Sequence, residues 1–181
     1  MDARHVRRIV TVDKADGTST ALADGQSPDV RTDPARPGYA AARIWVTERT
    51  PAPIKGVTDT LHLPHTLEPP KGGSVCRVVT FPPDSDYMDH IEEHHVRAFF
   101  HAMGSPLAST YAETAPHPYM QKTNTLDFAL VLDGEITLVL DLEEVRLTSG
   151  DTVVLRGANH AFSNHSDKPC TVAFSSHDGI S

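Results

Sequence analysis

Cysteine and long apolar runs are scarce in this sequence of 181 residues, and each shortage excludes a class of protein. The only two cysteines, Cys76 and Cys170, lie far apart and fit no metal-binding spacing, so buried thiols in a reducing compartment are favoured over a disulfide. The N-terminus has no apolar stretch of the secretory type, and no segment approaches the ~20 apolar residues of a membrane span. We therefore expect a cytoplasmic protein that does not contact a membrane.

Positive charge is also in short supply. The chain carries 24 acidic residues against 16 lysines and arginines, a formal net charge of −8 with neutral histidines. Such a surface repels a phosphate backbone, which argues against nucleic acid as a partner. The length suits a single domain, 1–181, in which we expect an N-terminal arm with wrapping strands over 1–70 and a barrel over 71–181.

Short strands account for most of the regular structure that the pattern predicts. Alternating or β-rich runs lie at 6–12, 19–23, 41–47, 74–81, 126–132, 135–141, 144–147, 152–155, 161–164 and 171–175. One helix is expected near 89–103, where apolar residues recur at helical spacing before Gly104 and Pro106. The segment 25–38, rich in glycine and proline, predicts an irregular surface stretch. Many short strands with tight turns indicate a closed or sandwiched antiparallel β fold.

Two segments with a distinctive spacing lie at 121–134 and 150–164. The first has Gln121, Thr123, Asp127 and Gly134, and the second has Gly150, Gly157, His160 and Asn164. Both resemble the two sequence motifs of the cupin superfamily, and the longer wording, with the N-terminal arm, is similar to small single-domain bacterial cupins. The resemblance implies an all-β, cupin-type antiparallel β-barrel (jelly roll) with an N-terminal arm and one α-helix.

The resemblance also identifies what has changed in the usual metal site. The family's two histidines and glutamate of the first motif fall on Gln121, Thr123 and Asp127, and its last histidine falls on His160. Only the last of these four positions keeps the family's residue. The resemblance thus predicts the architecture in detail and says little about the reaction.

Strand geometry places the polar residues of the first motif on one wall. Positions two apart share a face, so Gln121, Thr123 and Asp127 lie on the same side as 125, 129 and 131. The opposite side, at 126, 128, 130 and 132, is uniformly large and apolar. A polar row that runs into small apolar residues is typical of a barrel cavity. The resemblance to the cupin motifs implies that His160 points into the same cavity.

The sequence leaves several roles open for these side chains. Asp127 and His160 within hydrogen-bond reach would form an acid–base pair, with Gln121, Thr123 and Tyr119 orienting the substrate. The alternative is a buried polar network that only stabilises the fold. His117 is a candidate for the cavity mouth or an exposed loop residue. Arg156 suits either a substrate carboxylate or an inter-strand salt bridge.

Three functions follow from these alternatives. The first is a small-molecule enzyme of specialised or catabolic metabolism, such as a lyase, isomerase, dehydratase or cyclase, that needs no cofactor. The second is a metal-dependent oxygenase or decarboxylase that holds Fe, Ni, Mn or Zn through His160, Asp127 and Gln121. The third is a non-catalytic protein that binds a small ligand.

Two further expectations concern surfaces. His90, His94, His95 and His101 fall on the predicted helix, where a solvated or cavity-capping face is favoured over a second metal site because no partner ligand is arranged nearby. The apolar outer face of the 126–132 strand, together with the pairing common among small cupins, predicts a homodimer.

Overall fold

The computed structural model describes residues 1–56 and 59–180. It contains one α-helix, α1 (Glu93–Ala102), among the described residues. The strands are β1 (Arg7–Asp13), β2 (Ser19–Gln26), β3 (Val30–Thr32), β4 (Ala40–Thr47), β5 (Ser74–Phe81), β6 (Thr125–Asp133), β7 (Glu135–Leu140), β8 (Glu144–Thr148), β9 (Thr152–Arg156), β10 (His160–Ser163) and β11 (Cys170–Asp178).

Two antiparallel sheets form the body of the molecule. The larger sheet has the order β3-β4-β5-β11-β6-β9 and the smaller one the order β10-β7-β8, while β1 and β2 form a separate hairpin. One core cluster joins Ala129 and Val172 of the larger sheet to Ile136 and Phe162 of the smaller one. The predicted all-β jelly-roll barrel is therefore confirmed. The larger sheet also takes β3 and β4 from the region predicted as arm and wrapping strands.

Strand β6 alternates between two environments, as its sequence predicts. Thr125 and Asp127 are buried, as are Ala129 and Val131 further along. Phe128, on the opposite face, is 47% exposed. The inward face of β6 is thus available to form a cavity wall.

The helix begins later than predicted. Instead of a helix over 89–103, short 3₁₀ turns precede α1, and Glu92 caps it in a reciprocal arrangement with His95. Val96, Phe99 and Phe100 are buried against the barrel. His90 lies in a 3₁₀ turn before α1, so the prediction that it falls on the helix is wrong. In the described part of the chain, no helix has the length and apolarity that a bilayer crossing requires.

The segment 25–38 differs from the expected irregular surface stretch. It contains β3, and it buries Asp33 and Arg36 beneath the barrel surface. Arg36 Nε donates a hydrogen bond to Asp33 Oδ2 at 2.7 Å. A charged side chain can be buried when it has such a partner. The glycine and proline content of the segment gives no sign of this pairing, so it does not predict the burial.

A buried carboxylate ties the end of β5 to the end of β10. Asp84 accepts hydrogen bonds from the Asn164 amide at 3.1 Å and from the Ser163 hydroxyl. The buried His117 lies beside it, with Nε2 3.9 Å from Asp84 Oδ2 and Nδ1 accepting the Tyr119 amide at 3.1 Å. Burial lowers the pKa of His117 to about 4, so the ring is neutral near pH 7.

We expect His117 to make folding stability depend on pH. Its pKa is about 4 when folded and about 6.5 when unfolded. Between these values the unfolded chain binds more protons, so the free energy of unfolding falls as the pH falls, by an amount on the order of a few kcal/mol. Urea unfolding of wild type and His117→Gln at several pH values measures this: the variant should lose part of the slope. The exposed His101→Gln is the matched control, and an identical slope in all three proteins would contradict the prediction.

The homodimer stays a prediction, for which we propose the apolar outer face of β6 and β9. Leu126, Phe128, Leu130 and Val154 remain exposed on the outer face of β6 and β9, over a shallow apolar groove. An apolar strip of this kind is typical of an interaction surface. Light scattering after size exclusion should give twice the 19.7 kDa chain mass. Phe128→Glu should halve the measured mass, whereas Leu142→Glu, at a turn residue that is 98% exposed, should not. A monomeric wild type would refute the prediction.

Candidate functional site

A cavity of about 80 Å³ lies inside the barrel beneath α1. Its polar wall comes from the first motif and from His160, and its remaining walls are mainly aromatic and aliphatic. Two arginines also reach it. The lining includes Arg36, Tyr39, Arg77, Phe99, Tyr119, Gln121, Thr123, Asp127 and His160, with Phe81, Phe162 and Phe174 among the apolar side chains. The four predicted motif side chains therefore do share one cavity.

A backbone pairing sets His160 next to Gln121. The Gln121 amide donates to the His160 carbonyl at 2.8 Å, and the His160 amide donates to the Gln121 carbonyl at 3.0 Å. Gly157, with φ +64°, lies in the bend before β10 and adopts a conformation that side-chain-bearing residues rarely take. Directly opposed residues of this kind extend their side chains to the same face, and the two Nε2 atoms lie 3.3 Å apart.

Hydrogen bonding fixes the proton position on His160. Its Nδ1 lies 2.9 Å from the Ala158 carbonyl oxygen, which can only accept, so Nδ1 carries the proton. Nε2 then bears the lone pair and accepts from the Gln121 amide. Burial lowers the pKa of His160, and this effect outweighs the Ala158 hydrogen bond and the Asp127 charge, which raise it. The cavity therefore contains a neutral imidazole near pH 7.

Asp127 is held by its own strand. Its Oδ2 accepts the Thr125 hydroxyl at 2.7 Å, and the hydroxyls of Thr123 and Thr125 lie 2.7 Å apart. Asp127 and His160, both within the described residues, form no hydrogen bond or ion pair with each other. The expected direct contact is thus not made. Asp127 is hydrogen-bonded to Thr125 instead, and His160 to Ala158 and Gln121. The Asp127 charge still acts on His160 across the cavity.

The other three predicted site residues, Tyr119, His117 and Arg156, lie in three different environments. Tyr119 lines the cavity and donates its hydroxyl to Asp33 Oδ2 at 3.2 Å. His117 is buried outside the cavity lining, its ring centre 6.1 Å from that of Tyr119, so it is neither a mouth residue nor exposed. Arg156 is exposed in an outer groove and makes no ion pair within the described part of the chain. The predicted inter-strand salt bridge is therefore not formed, and Arg156 lies outside the cavity that holds the other candidates.

Two buried arginines of the site are not predicted by the sequence pattern. Arg36 is 3% exposed and its Cζ lies 3.6 Å from the centre of the Tyr119 ring. Arg77, on β5, is 7% exposed and donates to the Leu67 carbonyl at 2.6 Å. The spacing of Asp33 and Arg36 is the one local signal, since residues three apart can pair.

The donor set does not fit a transition metal. Such sites ordinarily gather three or more histidine, cysteine or carboxylate ligands. Within residues 1–56 and 59–180 no group of three or more such residues is suitably placed. In the cavity the good donors are His160 and Asp127, and the neutral Gln121 amide lies against the imidazole nitrogen. The cupin fold would accommodate a metal, but the residues that remain here do not supply its usual ligands.

Comparison with known proteins agrees with the fold and the motif frame. The family described as "Cupin domain" matches residues 110–176. "Phomopsin biosynthesis cluster protein D" of Diaporthe leptostromiformis is 31% identical over 150 residues, covering 78% of this chain and 75% of that protein. "Phomopsin biosynthesis cluster protein C'" of the same fungus is 30% identical over the same length and coverage.

A solved structure resembles the chain over almost its whole length. It is a putative ethanolamine utilization protein q from Salmonella typhimurium, with 10% identity, a TM-score of 0.47, and coverage of 97% of this chain and 98% of that one. The family match and the two fungal relatives carry the assignment. This chain belongs to the same family as these two phomopsin cluster proteins, and its residues 110–176 match the cupin domain.

Proposed function

We propose that this protein is a small-molecule enzyme of specialised metabolism in which His160 moves a proton within the barrel. The observation that carries the proposal is the bond from His160 Nδ1 to the Ala158 carbonyl, because it leaves the Nε2 lone pair in the cavity. Supporting context comes from the relatives, which are named for phomopsin biosynthesis clusters. A third relative is named "Oryzines biosynthesis cluster protein J", from Aspergillus oryzae, at 26% identity.

The chemistry begins with a base in the correct protonation state. Nε2 accepts a proton from a carbon next to a substrate carbonyl, and the substrate takes the place of the Gln121 amide. The released Gln121 amide then donates to the carbonyl oxygen as negative charge develops on it, while the Thr123 hydroxyl stays bonded to Thr125 in the cavity wall. Asp127 stabilises the resulting imidazolium through its charge, although the two side chains do not touch.

The next step of the carbanion decides the reaction class. Return of the proton to a different carbon is an isomerisation. Loss of a leaving group from the neighbouring carbon is an elimination, as in a lyase or dehydratase, and attack of the carbanion within the substrate is a cyclisation. All three share the first step at His160, so one variant tests the common part.

We expect His160→Ala to lower proton-transfer activity by about 10²–10⁴-fold, the usual contribution of a general base. The measurement is deuterium incorporation at C3, the carbon next to the ketone, of phenylpyruvate and 2-oxobutanoate in D₂O, followed by NMR against buffer alone. Because no metal step is involved, prior treatment with a chelator should leave the rate unchanged.

The matched control for this experiment is His101→Ala, which removes an exposed helix histidine. It should retain the wild-type rate. Full exchange activity in His160→Ala, or binding of both probes without exchange above buffer, would rule out the base assignment. The second result would instead support the non-catalytic alternative.

A second expectation concerns the titration of His160. Its pKa should lie below the ~6.5 of a free histidine, since burial disfavours the charged ring. Removing the Asp127 charge in Asp127→Asn should lower the pKa further, because that charge raises it. NMR of histidine-labelled protein measures both values, and the acidic limb of the pH–rate profile should move with them. An upward shift in Asp127→Asn would contradict the electrostatic role of Asp127.

A further inference from the structure

Arg36 occupies an unusual environment for a charged side chain. It is 3% exposed, lines the cavity, and is enclosed by three aromatic rings. Its Cζ lies 4.2 Å from the centre of the Tyr39 ring, 4.3 Å from that of Phe99 and 3.6 Å from that of Tyr119. The ring faces attract the cation and exclude water from it. The guanidinium is therefore held rigidly against the cavity.

The hydrogen bonding of Arg36 is incomplete. Nε donates to Asp33 Oδ2 at 2.7 Å, but Nη2 is buried and has no partner among the described residues. A buried donor without a partner costs about 1–3 kcal/mol, more when the group is charged. Such groups are rare in native proteins, and a functional role is one physical explanation for them.

Resting on the proposed function, we propose that the cavity binds substrates with one carboxylate, which accepts a hydrogen bond from Arg36 Nη2. A planar guanidinium matches a carboxylate in shape, and hydrogen bonds between charged groups are about twice as strong as neutral ones. The proposal also meets a requirement of the chemistry, because the substrate must be oriented for His160. A carboxylate fixed at Arg36 provides such an anchor.

Charge balance favours a carboxylate over a phosphate. In and beside the cavity, Asp33 and Asp127 offset the charges of Arg36 and Arg77. A carboxylate then adds one negative charge to a buried site, whereas a phosphate monoester adds about −1.5 to −2. The larger imbalance is harder to bury in a medium of low dielectric constant.

The apolar part of the cavity lining indicates which chemical group the substrate carries besides its carboxylate. Phe81, Phe162 and Phe174 meet along one side of the cavity, with ring centres 5.3–6.4 Å apart. These surfaces suit a compact aryl or alkyl group. The class of substrate is thus a small apolar carboxylic acid with an acidic carbon–hydrogen bond.

Three probes of similar shape test the inference: phenylacetate, phenylacetamide and phenyl phosphate, each titrated calorimetrically. The wild-type protein should bind phenylacetate at least tenfold more tightly than the other two. The double variant Asp33→Asn/Arg36→Gln keeps a neutral hydrogen-bonding pair in place of the ion pair, and it should weaken phenylacetate binding at least tenfold. Arg156→Gln, which removes an exposed arginine outside the cavity, should not change it.

The outcomes separate the inference from the proposed function. His160→Ala should still bind phenylacetate even where proton exchange is lost, because Arg36 is intact. Absence of phenylacetate binding, equal affinity for the amide or the phosphate, or unchanged affinity in the double variant would overturn the inference without bearing on His160. If the double variant does not fold, the comparison of the three probes on the wild-type protein decides.

Discussion

The reciprocal backbone hydrogen bonds between Gln121 and His160 are the constraint on which the site depends. They join the segment before β6 to the first residue of β10, which follows 39 positions later in the chain. Opposed residues in an antiparallel pair extend their side chains to the same face. This pairing therefore brings a distant histidine to the wall on which β6 displays Asp127. The polar side chains share one cavity because the segment before β6 pairs with the start of β10 at this register.

Much of this wall could be predicted from the sequence. A strand has a period of two, so the alternation of polar and apolar residues along β6 indicates which side chains face inward. The resemblance of 150–164 to the second cupin motif likewise implies that the imidazole lies in the cavity. Direct contact between Asp127 and His160 was not predictable on the same grounds. Spacing determines the face of a residue, whereas the nearest competing donor, here the Thr125 hydroxyl, determines its hydrogen bonds.

The position of Arg36 in the cavity lining could not be predicted from the sequence, for a different reason. Its environment is built by Tyr39, Phe99 and Tyr119, which come from three separate segments of the chain. No periodic pattern connects these positions, and glycine and proline around Arg36 are typical of exposed loops. The predicted start of α1 near residue 89 is wrong for a related reason. The capping contact between Glu92 and His95 sets the start of the helix, although the apolar spacing begins earlier in the sequence.

The position of Arg36 along the chain has a consequence for substrate binding. The segment that matches the cupin domain family spans 110–176 and contains both His160 and Gln121. Arg36 lies outside it, in the earlier segment 25–38. Substitutions at Arg36 change a side chain of the cavity lining without altering the backbone pairing of Gln121 with His160. Under the proposed function, such substitutions change the substrate that is bound while His160 keeps its place in the cavity.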